Sequence, residues 1–162
     1  MIAGVDLIKG LGKLTGLSVP RVEGATGYID TSYENKAAEA VKALKDHDFV
    51  WVHVEAPDEA GHERNTEEKI KAIEAIDGVI VTRIREYLKA AGEDYRMLLM
   101  PDHPTPVSTG SHNDAPVPFV MYDSRRNTRN TIEYSEAGAR LSPVYLDSAS
   151  LLMDILLENK AF

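Results

Sequence analysis

The run Phe49-Val50-Trp51-Val52-His53-Val54 constrains this chain most. It is β-branched and aromatic, too apolar to leave one face wet, and reads as a central strand buried on both faces. Such a strand needs helices above and below it. Residues 5–17 place Val5, Ile8, Leu11 and Leu14 at three-residue spacing, a short amphipathic helix weakened by Gly10, Gly12 and Gly16. Gly16 to Thr31 reads as strand plus loop. Thr31-Ser32-Tyr33-Glu34 fits a capping box opening a helix to about Lys45, with Ala37, Ala40, Val41 and Leu44 on its apolar face. Asn65-Thr66-Glu67-Glu68 caps a long helix with Ile70, Ile73, Ile76, Ile80, Ile84 and Leu88 as apolar positions, and Gly92 stops it.

Met97-Leu98-Leu99-Met100 reads as a strand ended by Pro101, and Val117–Tyr122 as another after a Pro- and Gly-containing loop. Asp147 or Ser148 caps a last helix that turns Leu151, Leu152, Ile155 and Leu156 inward. This alternation predicts an α/β fold, a mainly parallel sheet flanked by helices. At 162 residues the expectation is a single domain over 1–162. The polar stretch 123–145, with Arg125, Arg126 and Arg129, reads as a solvated loop.

Charge and cysteine content narrow the function classes. Eighteen basic against 26 acidic residues leave a net charge of −8, which argues against phosphate-backbone binding to nucleic acid. An anionic substrate then needs local positive charge, such as bound metal. With no cysteine there is no thiolate nucleophile and no disulfide framework, which suits a reducing, cytoplasmic setting. No apolar window reaches the ~20 residues of a membrane span, and the first residues carry no signal-peptide pattern.

In an open α/β sheet, ligands bind at the carboxyl ends of strands. There the sequence places Glu55-Ala56-Pro57-Asp58-Glu59-Ala60-Gly61-His62 after one predicted strand and Pro101-Asp102-His103-Pro104 after the next. Ser111-His112-Asn113-Asp114-Ala115-Pro116 precedes the third. Carboxylates and neutral imidazoles form a mixed O/N donor set suited to Zn, Mn or Fe more than Ca. Taken singly, each segment also fits an ordinary surface turn. Their convergence on one predicted edge is what points to metal.

Pro57-Asp58-Glu59-Ala60-Gly61-His62, Pro101-Asp102-His103 and His112-Asn113-Asp114-Ala115-Pro116-Val117-Pro118-Phe119 resemble the three C-terminal metal motifs of the alkaline phosphatase superfamily. Together with Val5–Gly10, Gly24–Thr31, Ile73–Asp77 and Pro101–Pro106, they resemble the archaeal-type, 2,3-bisphosphoglycerate-independent phosphoglycerate mutases over almost the whole chain. The resemblance implies a partial alkaline-phosphatase-like core and interconversion of 2- and 3-phosphoglycerate without 2,3-bisphosphoglycerate. It implies two divalent ions (manganese, zinc or magnesium), one held by Asp58, His62 and His112 and the second by Asp102 and His103. That family completes the second site with an N-terminal aspartate and a serine that is transiently phosphorylated. Nothing in this sequence matches either one. The expectation is therefore a C-terminal fragment, without a catalytic serine and inactive alone, that self-associates through surface its missing half would cover.

Lys9 and Arg64 are the candidate contacts for a substrate phosphate or carboxylate, although both also read as solvated surface cations. His53 reads as a core histidine and His47 as a solvated one, while Ser108, Thr109 and Ser111 read as structural. Two other functions fit the same motifs. One is a homoserine kinase-like relative of the same branch, and the other is a non-catalytic domain that keeps the fold and works with a partner.

Overall fold

The computed structural model describes residues 1–126 and 132–158. The chain divides into two units, Met1–Gly92 with Thr105–His112, and Glu93–Pro104 with the residues from Asn113 on. In the first unit, helix α1 (Asp6–Leu14) carries Gly12 buried against Met1 and Val19, where a β-carbon would come within 2.7 Å of the Met1 sulfur. Glycine at that position lets the helix approach closely. The leucines of α1 face outward instead, with Leu7 75% and Leu14 85% exposed.

Helix α2 (Tyr33–Ala43) begins one residue later than the capping pattern suggests, because Ser32 and not Thr31 accepts from the Asn35 amide. Its face of Tyr33, Ala37 and Ala40 is buried, with Lys36 among them. Asn65 caps α4 (Thr66–Ala75) by accepting from the Glu68 amide. From α4 the helix passes through a π-helical turn (Ile76–Val81) into α5 (Thr82–Ala91), which Gly92 ends in the left-handed conformation. The core joins Tyr33, Ala37, Ala56, Ala72 and Ile80, with Val52, Val54, Ile76 and Ile84 packed around it. Ile70 and Ile73, expected on the inner face of this helix, are about half exposed.

Two expectations about strands are corrected. Phe49–Val54 is not a strand buried on both faces. Among the described residues its pairing is one parallel bridge, Ile2 with Val52, in which the Ile2 amide donates to the Trp51 carbonyl and the His53 amide to the Ile2 carbonyl, each at 2.8 Å. Trp51 is 47% exposed. Apolar content reports a wish for burial and carries no information on how many neighbours a strand finds.

The second correction concerns direction. In the second unit, β1 (Arg96–Leu99) pairs antiparallel with β2 (Val120–Asp123), in register from Arg96 opposite Asp123 to Leu99 opposite Val120. Parallel neighbours need a crossover, usually a helix. Helices α1 and α2 provide one between Ile2 and Val52, whereas no helix lies between β1 and β2. Asp123 gathers Arg96, Arg125 and Arg126; Arg125, whose hydrogen bond is the largest cause, and Arg96 hold its carboxyl well below the usual range. Arg129, read with this cluster, lies outside the described residues. A short helix α6 (Glu136–Ala139) and the last helix α7 (Ser150–Glu158) follow, and the Arg96 guanidinium donates to the Ile155 and Leu156 carbonyls near the end of α7. Inside the 123–145 stretch read as a loop, Ser135 caps α6 by accepting from the Gly138 amide.

Lys36 is fully buried, and its ammonium reaches the Thr26 and His53 carbonyls only at 3.4 and 3.5 Å. Burial lowers its pKa to about 8, with Glu55 opposing the shift and Lys9 adding to it. Because the folded pKa lies below the unfolded one, the full penalty applies below pH ~8 and is relieved as pH rises towards ~10.5, where both states are neutral. Replacing Lys36→Met should therefore raise stability most at neutral pH, by up to roughly 3 kcal/mol. The gain should shrink through the window from about 8 to 10.5, as read by urea melts across that range. An equal gain at both ends would contradict this. The Tyr33 hydroxyl is buried with no hydrogen-bond partner among the described residues, and burial raises its pKa. An unmade buried hydrogen bond costs about 1–3 kcal/mol, so Tyr33→Phe should leave the urea midpoint unchanged or higher.

Candidate metal centre

The segment from Glu55 to His62, expected as a loop, is a helix, α3 (Ala56–His62). Pro57 sits in its first turn, where a missing N–H costs nothing, and Ala56 and Ala60 favour the helix. Seven residues are too few to show an apolar period, which hides the helix from pattern reading. Its consequence is direct: Asp58 and His62, four residues apart, share one helix face.

The loop Thr105–His112 brings His112 to that face. His62 Nε2 and His112 Nε2 are 2.9 Å apart, His62 Nε2 lies 3.3 Å from Asp58 Oδ2, and His112 Nε2 lies 3.2 Å from Asp58 Oδ1. Four atoms are involved, because each imidazole faces a different oxygen of the one carboxylate. Donors bound at ~2.0–2.1 Å in a tetrahedral site stand about 3.3–3.4 Å from one another. The three separations, 2.9–3.3 Å, are in that range or slightly shorter, although the two carboxylate distances end on different oxygens.

Protonation also favours a ligand role. His62 Nδ1 lies 3.0 Å from the Gly110 carbonyl, which can only accept. Nδ1 must then carry the proton, so in neutral His62 the Nε2 atom presents a lone pair. The Nε2–Nε2 approach needs a proton or a cation between two lone pairs. A metal bound here would take the place of that proton.

The loop is fastened to α3 and to the helix after it. The Arg64 guanidinium donates to the Thr109 carbonyl at 3.0 Å, and Gly110 turns with φ +65° where its β-carbon would meet Arg64 and the His62 carbonyl. Arg64 itself has φ 56°, uncommon for a residue with a side chain. Thr109 Oγ1 donates to the Pro106 carbonyl, which fits its structural reading. Thr105, 4% exposed, donates through Oγ1 to Asp58 Oδ1, and its carbonyl accepts from Lys69 Nζ at 2.6 Å. Neither Thr105 nor Lys69 stands out in the sequence. The one available signal is the pair of prolines, Pro104 and Pro106, that fix the backbone around Thr105.

The remaining candidates are placed as follows. Asp102 and His103 belong to the second unit, in the turn after β1. There Asp102 Oδ1 accepts from the His103 amide, and Oδ2 is 3.5 Å from His103 Nε2. Lys9 lines a cleft of about 810 Å³ with Lys13, Arg21 and Glu23, and its ammonium lies 3.3 Å from Asp6. The carboxylates of Glu55 and Glu59 come within 4.8 Å of Asp58. His53 Nδ1 is 3.5 Å from Glu55, and exposed His47 contacts only the Ala43 carbonyl among the hydrogen bonds of its helix end. No helix among the described residues is long and apolar enough to cross a membrane.

The sequence profile of the Metalloenzyme superfamily matches residues 1–154. A probable 2,3-bisphosphoglycerate-independent phosphoglycerate mutase of Geobacter sulfurreducens is 46% identical over 160 residues, which are 98% of this chain and 40% of that protein. The 2,3-bisphosphoglycerate-independent phosphoglycerate mutase of Methanosarcina mazei is 45% identical over 160 residues, again 98% and 40%. The chain thus spans about two-fifths of the length of these relatives. The solved structure of the PH0037 protein from Pyrococcus horikoshii superposes with a TM-score of 0.75 at 32% identity, over 86% of this chain and 42% of that one.

The tautomer assignment has a spectroscopic check. Nitrogen-15 correlation spectra of the metal-free chain in mildly alkaline buffer should show His62 protonated at Nδ1, and Gly110 must be its acceptor. A His62 signal protonated at Nε2 would contradict the assignment.

Proposed function

The chain belongs to the Metalloenzyme superfamily, and from that membership we propose that it is the metal-holding part of a 2,3-bisphosphoglycerate-independent phosphoglycerate mutase, acting on 2- and 3-phosphoglycerate. The observation that carries this reading is the mutual approach of His62 Nε2, His112 Nε2 and the Asp58 carboxylate to within 3.3 Å of one another. Similarity to two mutases over 98% of the chain supports the choice of reaction.

Asp58, His62 and His112 would hold one divalent ion, and Asp102 and His103 would contribute to a second. When bound, such ions neutralise phosphoryl oxygens and favour an ionised nucleophile, which is what an acidic chain handling an anionic substrate requires. The chain's own residues prepare that site. Gly110 fixes the His62 tautomer, α3 sets the spacing of Asp58 and His62, and Arg64 holds the loop that delivers His112. Lys9 is our assignment for a contact to the substrate anion. Arg64, already engaged with Thr109, is assigned there only through its remaining donors. In the complete fold, a mainly parallel, alkaline-phosphatase-like sheet would extend the Ile2–Val52 bridge.

The nucleophile is the part this sequence does not match. Phosphoryl transfer through a serine loses its covalent intermediate when the serine is missing, and residues acting as a unit fail together. Two measurements test the reading. Calorimetric titration with manganese should show one tighter site, abolished by His62→Ala, and a weaker one, because two ligands compete poorly with water. An enolase-coupled assay with 3-phosphoglycerate and manganese should show no turnover within a hundredfold of a typical ~10 s⁻¹. Absence of metal binding would overturn the metal assignment, and robust turnover would show that a serine of this chain, or of a partner, replaces the missing one. Turnover of homoserine with ATP would favour the kinase-like relative instead.

A further inference from the structure

We propose that Thr105 is a positioning residue for Asp58, holding that carboxylate in the orientation a bound divalent ion requires; this rests on the metal reading of Asp58, His62 and His112. A carboxylate turns easily about its last torsion, whose profile is broad and two-fold. Left alone, Asp58 would spread its oxygens over many directions. The Thr105 hydroxyl donates to Oδ1, the oxygen 3.2 Å from His112, while Oδ2 faces His62 at 3.3 Å. One hydrogen bond therefore fixes which oxygen addresses which imidazole.

Thr105 is itself held from two helices. Its carbonyl accepts from Lys69 Nζ of α4 at 2.6 Å. On the α3 side it packs against Gly61, where a β-carbon would come within 2.4 Å of the Thr105 carbonyl oxygen and 3.0 Å of its Cγ2 methyl. At 4% exposure the side chain cannot trade its acceptor for bulk water. The methyl lies against Gly61 and the hydroxyl on Asp58, so both branches of the side chain are engaged. Outer partners of this kind orient ligands, and their loss typically weakens metal affinity 10–100-fold.

The test compares Thr105→Val, which keeps shape and removes the donor, with Thr105→Ser, which keeps the donor and removes the methyl. Cobalt(II) binding to the whole chain is read by calorimetry and by its ligand-field absorption, and the fold of each metal-free variant by thermal unfolding. Thr105→Ser should bind with the affinity and spectrum of the unmodified chain. Thr105→Val should bind 10–100-fold more weakly, with an altered spectrum. Should the valine variant not fold, Thr105→Ala against Thr105→Ser decides, with affinity expected to follow the hydroxyl. Unchanged binding and spectrum in Thr105→Val, or equal losses in the serine and donorless variants, would overturn the positioning role while leaving the metal reading intact. No cobalt uptake by the unmodified chain would overturn the metal reading and this inference together.

Discussion

Two imidazole nitrogens 2.9 Å apart, each also about 3 Å from a carboxylate oxygen, need a proton or a metal between their lone pairs. Helix α3 and the loop 105–112 are arranged around that constraint. Helix α3 supplies two of the three groups from one face, and the loop 105–112 supplies the third. The loop is then tied down at each point where it could drift, by Lys69 on the Thr105 carbonyl, by Arg64 on the Thr109 carbonyl and by His62 on the Gly110 carbonyl. The ties are mostly backbone carbonyls, so they depend on where the chain runs more than on which side chains it carries.

Legibility in the sequence followed how local each signal is. Asn65 as a cap and Gly92 as a stop are read directly, because capping involves atoms within three or four residues. Asp58, His62 and His112 were legible as metal-type residues, and the Metalloenzyme profile agrees in family over 1–154. Their convergence needed the helix α3, and a seven-residue helix rich in Pro, Gly and acids has no periodic signature. Thr105 carries no local signal of its role, since its partner Asp58 is 47 residues away.

Pairing was the least legible feature. The Phe49–Val54 run has the composition of a central strand and yet, among the described residues, makes a single bridge, on the side of Ile2. Likewise, Met97–Leu99 and Val120–Tyr122 look like parallel strands until the intervening chain is seen to lack a helix. Direction is a property of the connection, which apolar content does not encode. Lys36 shows the opposite failure. A lysine in an alanine-rich helix reads as solvated, and here it is enclosed by carbonyls of two other segments that its own helix does not announce.

The π-helical turn at Ile76–Val81 decides which apolar row of the long helix faces the core. Ala72, Ile76, Ile80 and Ile84 recur every fourth residue, and all four belong to the core or its margin. In a regular helix of 3.6 residues per turn, each such step overshoots by about 40°, so the row would wind away from the core. A turn with i→i+5 bonding, at roughly 4.4 residues per turn, undershoots by a comparable angle and returns the row to the same side. The backbone thus performs a phase correction that no residue spells out. Its counterpart is a second apolar row, Ile70 and Ile73, in step with an uncorrected helix and left facing outward. Sequence comparison by helical wheel would select that row as the inner one, so substitutions there report on the surface of this protein and not on its interior.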